Sequence, residues 1–283
     1  MIYKTLISSE ILARHLNDPD WVVVDCRFDL QKPEWGQEEY QLAHIPGAVY
    51  AHLNHDLASP VTPSSGRHPL PQPEDFITLL SQWGIDSTKQ VIAYDLSAGQ
   101  FAARLWWLLR FYHHPAVAVL DGGFTLWTEG NHPTRSGSEH NQPAKFIGIP
   151  DSAMTVNISD VEGIRLNPEF RLMDARSNGR FLGEGETIDP VAGHIPGAVN
   201  HFYGLNLNPD NTLKDPDALR SSFKAILGPV GPDHTVVYCG SGITATHNLL
   251  AMEHAGLAGA RLYPGSWSEW IRDPNRPCST HTD

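Results

Sequence analysis

Cys239 lies in the run Thr235-Val236-Val237-Tyr238-Cys239-Gly240-Ser241-Gly242-Ile243-Thr244-Ala245, the stretch best placed to do chemistry. Val236, Val237 and Tyr238 favour a buried strand. Gly240 and Gly242 allow a tight turn. Thr244 is a candidate cap for a helix running from Ala245 to about Ala255. A cysteine between the end of a strand and the start of a helix meets unpaired backbone N–H groups and the positive end of the helix dipole. Both favour a thiolate, the nucleophilic form of cysteine. The loop Cys239 to Thr244 is expected to curl with its N–H groups around the sulfur, a nest for a thiolate, a persulfide or a bound anion. Ser241 and Thr244 add hydroxyl donors, or serve only the turn and the cap.

Other chemistries fit less well. A phosphatase loop of the C-x5-R type needs arginine six residues after the cysteine, and Ala245 stands there. The other two cysteines, Cys26 and Cys278, form no C-x-x-C pair with Cys239. An odd count makes a poor disulfide framework and points to a reducing, cytoplasmic setting. Of fifteen histidines, the closest groupings are His113-His114 and His52/His55, and neither has a zinc-type spacing with a cysteine pair. No metal and no cofactor is expected.

The elements that must hold Cys239 occur twice. His44-Ile45-Pro46-Gly47-Ala48-Val49 recurs as His194-Ile195-Pro196-Gly197-Ala198-Val199, and Asp25-Cys26-Arg27 recurs as Asp174-Ala175-Arg176. So long a period means a duplicated domain rather than a solenoid. Each half reads as the same series. Helices opened by Ser9 and Ser159 precede strands at Trp21–Asp25 and Phe170–Asp174. After the Pro-Gly turn come helices at Pro73–Trp83 and Asp217–Leu227, strands at Gln90–Tyr94 and Thr235–Tyr238, and helices at Phe101–Tyr112 and Ala245–Ala255. Last strands, Ala116–Leu120 and Ala260–Tyr263, follow. Short apolar strands alternating with helices predict an α/β fold, each half a small parallel sheet flanked by helices on both faces. The polar, Pro- and Gly-containing stretch between the halves reads as a linker. The Pro- and Ser-rich segment from Asp56 to Pro73 reads as a long surface loop. In this alignment Asp95 stands opposite Cys239, so the first half is expected to be a degenerate copy that keeps the fold and helps wall a cleft. Arg27 and Arg176, each two residues after a strand-end aspartate, read as structural ion pairs. His44 and His194 read as partners for turn backbone.

Composition agrees with a globular two-domain protein: 283 residues, 41% hydrophobic and 18% charged. A formal net charge of -12 argues against nucleic acid or an anionic membrane as a general partner. No apolar run reaches the ~20 residues of a membrane span, and the first ten residues lack a secretory apolar core.

The doubled domain, the two HIPGA segments, Asp174-Ala175-Arg176 with Gly179-Arg180-Phe181, the loop CGSGIT and Gly265-Ser266-Trp267-Ser268-Glu269-Trp270 together resemble a tandem-domain rhodanese over nearly the whole chain. The resemblance implies a non-catalytic rhodanese-like domain at 1–138, a linker at 139–154 and a catalytic rhodanese domain at 155–283. It implies a sulfurtransferase in which Cys239 takes a sulfane sulfur as a persulfide and passes it to a thiophilic acceptor such as cyanide or a thiol. Thioredoxin or another acceptor protein is a further partner. Gly240, Ser241, Gly242, Ile243 and Thr244 would surround the substrate, and Arg180 matches a substrate-contacting arginine. The uncharged loop resembles the 3-mercaptopyruvate branch, whereas the thiosulfate branch typically has Arg-Lys after the cysteine. Two positions depart from the pattern. Asp189 stands where the mercaptopyruvate branch usually has a second arginine, and Pro264 where the family usually has aspartate. Asp189 is expected to remove half of a carboxylate clamp, on a segment that could move aside. The balance narrowly favours 3-mercaptopyruvate, with thiosulfate:cyanide transfer or persulfide delivery to a protein as alternatives.

Overall fold

The computed structural model describes residues 2–96 and 98–281. They form two compact units. The first unit comprises residues 1–59, 70–151 and 208–213; the second comprises 60–69, 152–207 and 214–283. Each unit thus includes a short segment from the other half of the sequence.

The first unit runs β1 (Leu6–Ile7), α1 (Ser9–Arg14), β2 (Trp21–Asp25), α2 (Trp35–Leu42), β3 (Val49–Tyr50), α3 (Pro73–Gln82), β4 (Gln90–Tyr94), α4 (Ala102–Phe111), β5 (Val117–Leu120) and α5 (Gly123–Glu129). Its sheet has the order β1-β5-β4-β2-β3, all pairs parallel. The second unit runs α6 (Ile158–Ile164), β6 (Arg171–Asp174), α7 (Asn178–Phe181), β7 (Val199–Asn200), α8 (Pro216–Leu227), β8 (Thr235–Tyr238), α9 (Thr244–His254), β9 (Arg261–Leu262) and α10 (Ser266–Trp270). Its parallel sheet has the order β7-β6-β8-β9. Both sheets are flanked by helices, as the alternation of short apolar strands and helices predicts. The central strands β4 and β8 are buried along their whole length, as expected where helices cover both faces of a parallel sheet.

The cores repeat as the sequences do. Leu12, Val23, Ile45, Ile92, Tyr94 and Trp127 cluster in the first unit, and Val161, Leu172, Ile195, Tyr238, Trp267 and Trp270 in the second. Two buried ion pairs tie strand ends to the Pro-Gly turns. The Arg27 guanidinium bonds both oxygens of Asp25 and the Ala43 carbonyl. Arg176 bonds both oxygens of Asp174 and the Gly193 carbonyl. Arg27 and Arg176 are therefore the structural pairs expected. His44 and His194 likewise bond the carbonyls of Tyr40 and Phe181.

Helix starts differ from the sequence reading. Ser8, not Ser9, caps α1. Asn157, with Asp160 in a reciprocal capping box, starts α6, so Ser159 lies inside the helix. Thr244 is the first residue of α9, not its cap; Ile243 occupies the cap position and makes no side-chain cap bond. Residues 139–151 belong to the first unit, where Ala144 and Asp151 donate backbone N–H bonds to Ser81 and Phe111.

Candidate active site

Cys239 directly follows β8 and is 2% exposed. The Gly242 N–H donates to its Sγ at 3.2 Å. Gly242 has φ 78°, and a Cβ there would lie 2.5 Å from the Pro264 carbonyl oxygen, so only glycine lets the loop pass. The loop is clamped from below by α10, whose first-turn N–H groups have no partner within the helix. Trp267 and Ser268 donate theirs to the Cys239 and Gly240 carbonyls, at 3.0 and 2.9 Å. Ser266, at φ 55°, accepts the Cys239 N–H on its Oγ and donates to the Tyr263 carbonyl. That is what the Gly-Ser-Trp sequence does for the loop.

The first unit has the same clamp: Phe124 and Thr125 donate to the Asp95 and Leu96 carbonyls. Here Asp95 fills the position of Cys239. Its carboxylate accepts the N–H groups of Gly99 (2.9 Å), Phe101 (2.9 Å) and Ala102 (3.2 Å). In this copy the loop is a nest of N–H groups around an anion, and the anion belongs to the chain.

The segment 60–69 corrects the surface-loop reading. It belongs to the second unit and carries two side chains to the cysteine loop. His68 is buried, and its Nδ1 lies 2.7 Å from the Ser241 Oγ. Arg67 donates its backbone N–H to the Ser268 Oγ and its Nη1 to Asp189. Gly66 allows the approach: a Cβ there would stand 2.4 Å from the Gly265 carbonyl oxygen.

Arg180, at the end of α7, faces the same loop. Its Nε donates to Glu186 and its Nη2 to Asp189, both at 2.8 Å. A Cβ built on Gly240 would lie 2.9 Å from Arg67 Nη2 and 3.5 and 3.6 Å from Arg180 Nη2 and Nη1. Two guanidinium groups therefore converge over the residue that follows Cys239. Asp189 is not on a segment free to move aside: its side chain is 1% accessible and bridges both arginines. Burial pushes its carboxyl up against the pull of Arg67 and Arg180. Burial also opposes ionisation of Glu186, but the bonds from Arg180 and from the Ile188 and Asp189 N–H groups outweigh it and hold that carboxyl low.

Of the residues expected from sequence, Cys239, Gly240, Ser241, Gly242, Ile243 and Arg180 come together here, with Thr244 opening α9 behind them. Arg67 and His68 were missed. Cys26 is buried and Cys278 exposed, each in a different part of the chain. Among the described residues, Glu34, His52 and His55 offer ligand atoms within 4.8 Å of one another. However, His52 Nδ1 accepts the Asn54 N–H, which leaves its other ring nitrogen protonated and unable to ligate in the neutral ring.

The rhodanese-like domain family matches residues 8–130 and again 159–273. The chain belongs to the rhodanese family. It is 44% identical over 277 residues to a probable 3-mercaptopyruvate sulfurtransferase of Pseudomonas aeruginosa, covering 97% of this chain and 98% of that protein. It is 34% identical over 290 residues to the putative thiosulfate sulfurtransferase SseB of Mycobacterium tuberculosis, covering 99% and 98%. The crystal structure of SseA from Escherichia coli, a 3-mercaptopyruvate sulfotransferase, matches with a TM-score of 0.82 and 30% identity over 94% of this chain and 100% of that one. With relatives of this kind along its full length, this rhodanese is a sulfurtransferase acting on a small sulfur donor and an acceptor.

Proposed function

We propose that Cys239 is the nucleophile and that 3-mercaptopyruvate is the preferred donor. The carrying observation is the position of the Cys239 sulfur: at a strand end, under the Gly242 N–H of its own loop, in a loop whose next residue, Gly240, faces the Arg180 guanidinium. The Cys239 thiolate attacks the donor sulfur. An S–S bond forms, the C–S bond breaks, and the electron pair passes to carbon as the enolate of pyruvate. The thiol proton of the donor ends on that carbon, so the products are the Cys239 persulfide and pyruvate. Ser241, bonded to His68, is placed to relay this proton. A thiolate or cyanide then attacks the outer sulfur and releases the Cys239 thiolate. The acceptor is a small nucleophile or a protein thiol such as thioredoxin. The N–H groups from Gly240 to Thr244 hold the sulfur anion, and Arg180 holds the carboxylate. The first half acts as a non-catalytic copy: its Asp95 supports this reading by using the equivalent nest for a carboxylate.

No helix among the described residues is long and apolar enough to cross a membrane. The three free cysteines support a reducing, cytoplasmic setting.

Side-by-side assays with 3-mercaptopyruvate and thiosulfate test the reading. The expected result is a higher kcat/KM for 3-mercaptopyruvate, and a mass gain of a single sulfur atom on Cys239 after donor treatment. Cys239→Ser should abolish turnover, while Cys26→Ser and Cys278→Ser keep most of it. Retained activity in Cys239→Ser would refute the assignment. A higher kcat/KM with thiosulfate would reverse the order of donors.

A further inference from the structure

An open cleft of about 670 Å³ runs beside β3, the edge strand of the first sheet. That volume falls within the roughly 300–1,000 Å³ of small-molecule sites. Residues of α2, the end of α3 and the segment 138–143 complete its wall. The whole wall belongs to the first unit, whereas Cys239 belongs to the second. Hydrogen bonds hold the wall in shape. Gln41 Nε2 donates to the Ser138 Oγ, the Glu139 N–H to the Tyr40 hydroxyl and Asn141 Nδ2 to the Trp83 carbonyl, at 2.9, 3.0 and 3.0 Å.

The charge of the cleft is one-sided. None of its lining residues is lysine or arginine. Of its two carboxylates, Glu139 is already paired with Arg135 and accepts the Gly47 N–H. Asp56 accepts the His52 N–H at 2.6 Å and makes no ion pair with lysine or arginine among the described residues. Burial pushes the Asp56 carboxyl up. It lowers the pKa of His52, so that buried ring brings no positive charge. The Nε2 of His52 makes no hydrogen bond. The helix α3 ends at the cleft with Gln82 and Trp83, which adds the negative end of its dipole. Tyr50 registers the same field: burial first, and then charges that include Asp25, Asp56 and Glu34, raise its phenol above the ordinary value.

We propose that this cleft binds a small organic cation, with an ammonium or guanidinium group on Asp56 and its carbon frame against Tyr50 and Trp83. The cation supplies the partner that a carboxylate out of water otherwise lacks. Aromatic faces attract such a cation as well as packing on its frame. The Nε2 N–H of His52 suits an oxygen acceptor on the same molecule. The half that lacks a nucleophile thus keeps a ligand site of its own, separate from sulfur transfer.

Titrations of the intact protein at about pH 8, where histidine side chains are uncharged, test this. The probes are 2-amino-1-phenylethanol and 1-phenyl-1,2-ethanediol, which differ in an ammonium against a neutral hydroxyl. Two-dimensional NMR of the Trp83 indole N–H reports binding at the cleft itself. The amine should shift that signal and bind at least about tenfold more tightly than the diol. Asp56→Asn keeps an acceptor for the His52 N–H and removes the charge. It should weaken the amine on the order of 10- to 150-fold, the value of one charge-assisted bond, and leave the diol unchanged. Gln41→Lys, at an exposed position of α2, leaves Asp56 intact and brings a competing ammonium to the cleft, so it should weaken the amine as well. Equal binding of amine and diol would overturn the proposal, as would unchanged amine affinity in both variants. A wild type that fails to bind the amine, or binds it without moving the Trp83 signal, would do the same. None of these measurements involves turnover, so they decide the matter whichever donor Cys239 uses.

Discussion

Gly240 and Gly242 sit two residues apart in one loop, yet a methyl group on each should fail in a different way. Gly240 has no positive φ, so its backbone suits alanine. The three heavy atoms nearest the new Cβ are the ends of two flexible side chains: Arg67 Nη2 at 2.9 Å, and Arg180 Nη2 and Nη1 at 3.5 and 3.6 Å. Arg67 must retreat by about half an ångström to reach ordinary van der Waals contact. The methyl also fills the space an anion oxygen needs, since charge-assisted bonds require about 2.7–2.9 Å to each nitrogen. Losing one such bond corresponds to about 1.5–3 kcal/mol, or roughly 10- to 150-fold in KM. Folding should hardly change, because replacing glycine at a compatible site stabilises by about 0.4–1 kcal/mol through the unfolded chain. At Gly242 the backbone is left-handed at φ 78°, and the methyl would meet the Pro264 carbonyl oxygen at 2.5 Å. The left-handed conformation alone costs alanine about 1–2 kcal/mol. Backbone that must give way there carries the N–H bonded to Sγ. Gly240→Ala should therefore raise KM with an unfolding temperature within a few degrees of wild type. Gly242→Ala should lose both kcat and stability. Steady-state kinetics and thermal unfolding of the two purified variants decide the matter. Gly240→Ala with undiminished kcat/KM, or with a stability loss equal to that of Gly242→Ala, would show that no ligand occupies the space above Gly240.

Two further outcomes concern stability. Arg176→Met should destabilise by about 3–5 kcal/mol, because it leaves the Asp174 carboxylate buried without its cation; Arg27→Met should cost a similar amount at Asp25, and urea unfolding reads both. Burial lowers the pKa of His52, His114, His201 and His254 below the ordinary 6.5. As pH falls below that value the unfolded chain takes up protons that the folded chain refuses, so each of these rings contributes a loss of stability on acidification through this window. Thermal unfolding of the wild type and of a His114→Gln variant between about pH 7.5 and 5 measures it, and an identical pH dependence in the two would contradict the contribution of this ring.

The sheets and the place of Cys239 at a strand end were legible in the sequence because they depend on local pattern. Val236, Val237 and Tyr238 announce a strand, Gly240 and Gly242 a turn, and the Asp-x-Arg and HIPGA repeats align the halves. Boundaries were less legible. Two-residue strands such as β1 carry no periodicity, and serine at 8, 9 or 159 offers the same oxygen, so only the backbone decides which residue caps. Arg67 and His68 were invisible for a different reason. They stand in a Pro- and Ser-rich stretch whose composition says only that it is neither helix nor strand. His68 meets a serine 173 residues away, a distance no local pattern spans. Gly66 is the one signal that bears on it, since a glycine in a polar loop also marks close approach of two backbones.

Asp95 and Asp189 teach the same lesson at opposite ends of the site. By residue type alone, each is a loss: of a nucleophile in one half, of a clamp arginine in the other. In the folded chain each carboxylate has gained partners. Asp95 satisfies three N–H groups of a loop that Cys239 occupies in the other half, so the nest is filled rather than abandoned. Asp189 joins two arginines that come from distant parts of the sequence. An acid that replaces a base in an anion site need not abolish the site if a base arrives from elsewhere to pair with it. The charge balance is then kept, with guanidinium groups from two distant parts of the sequence sharing one carboxylate.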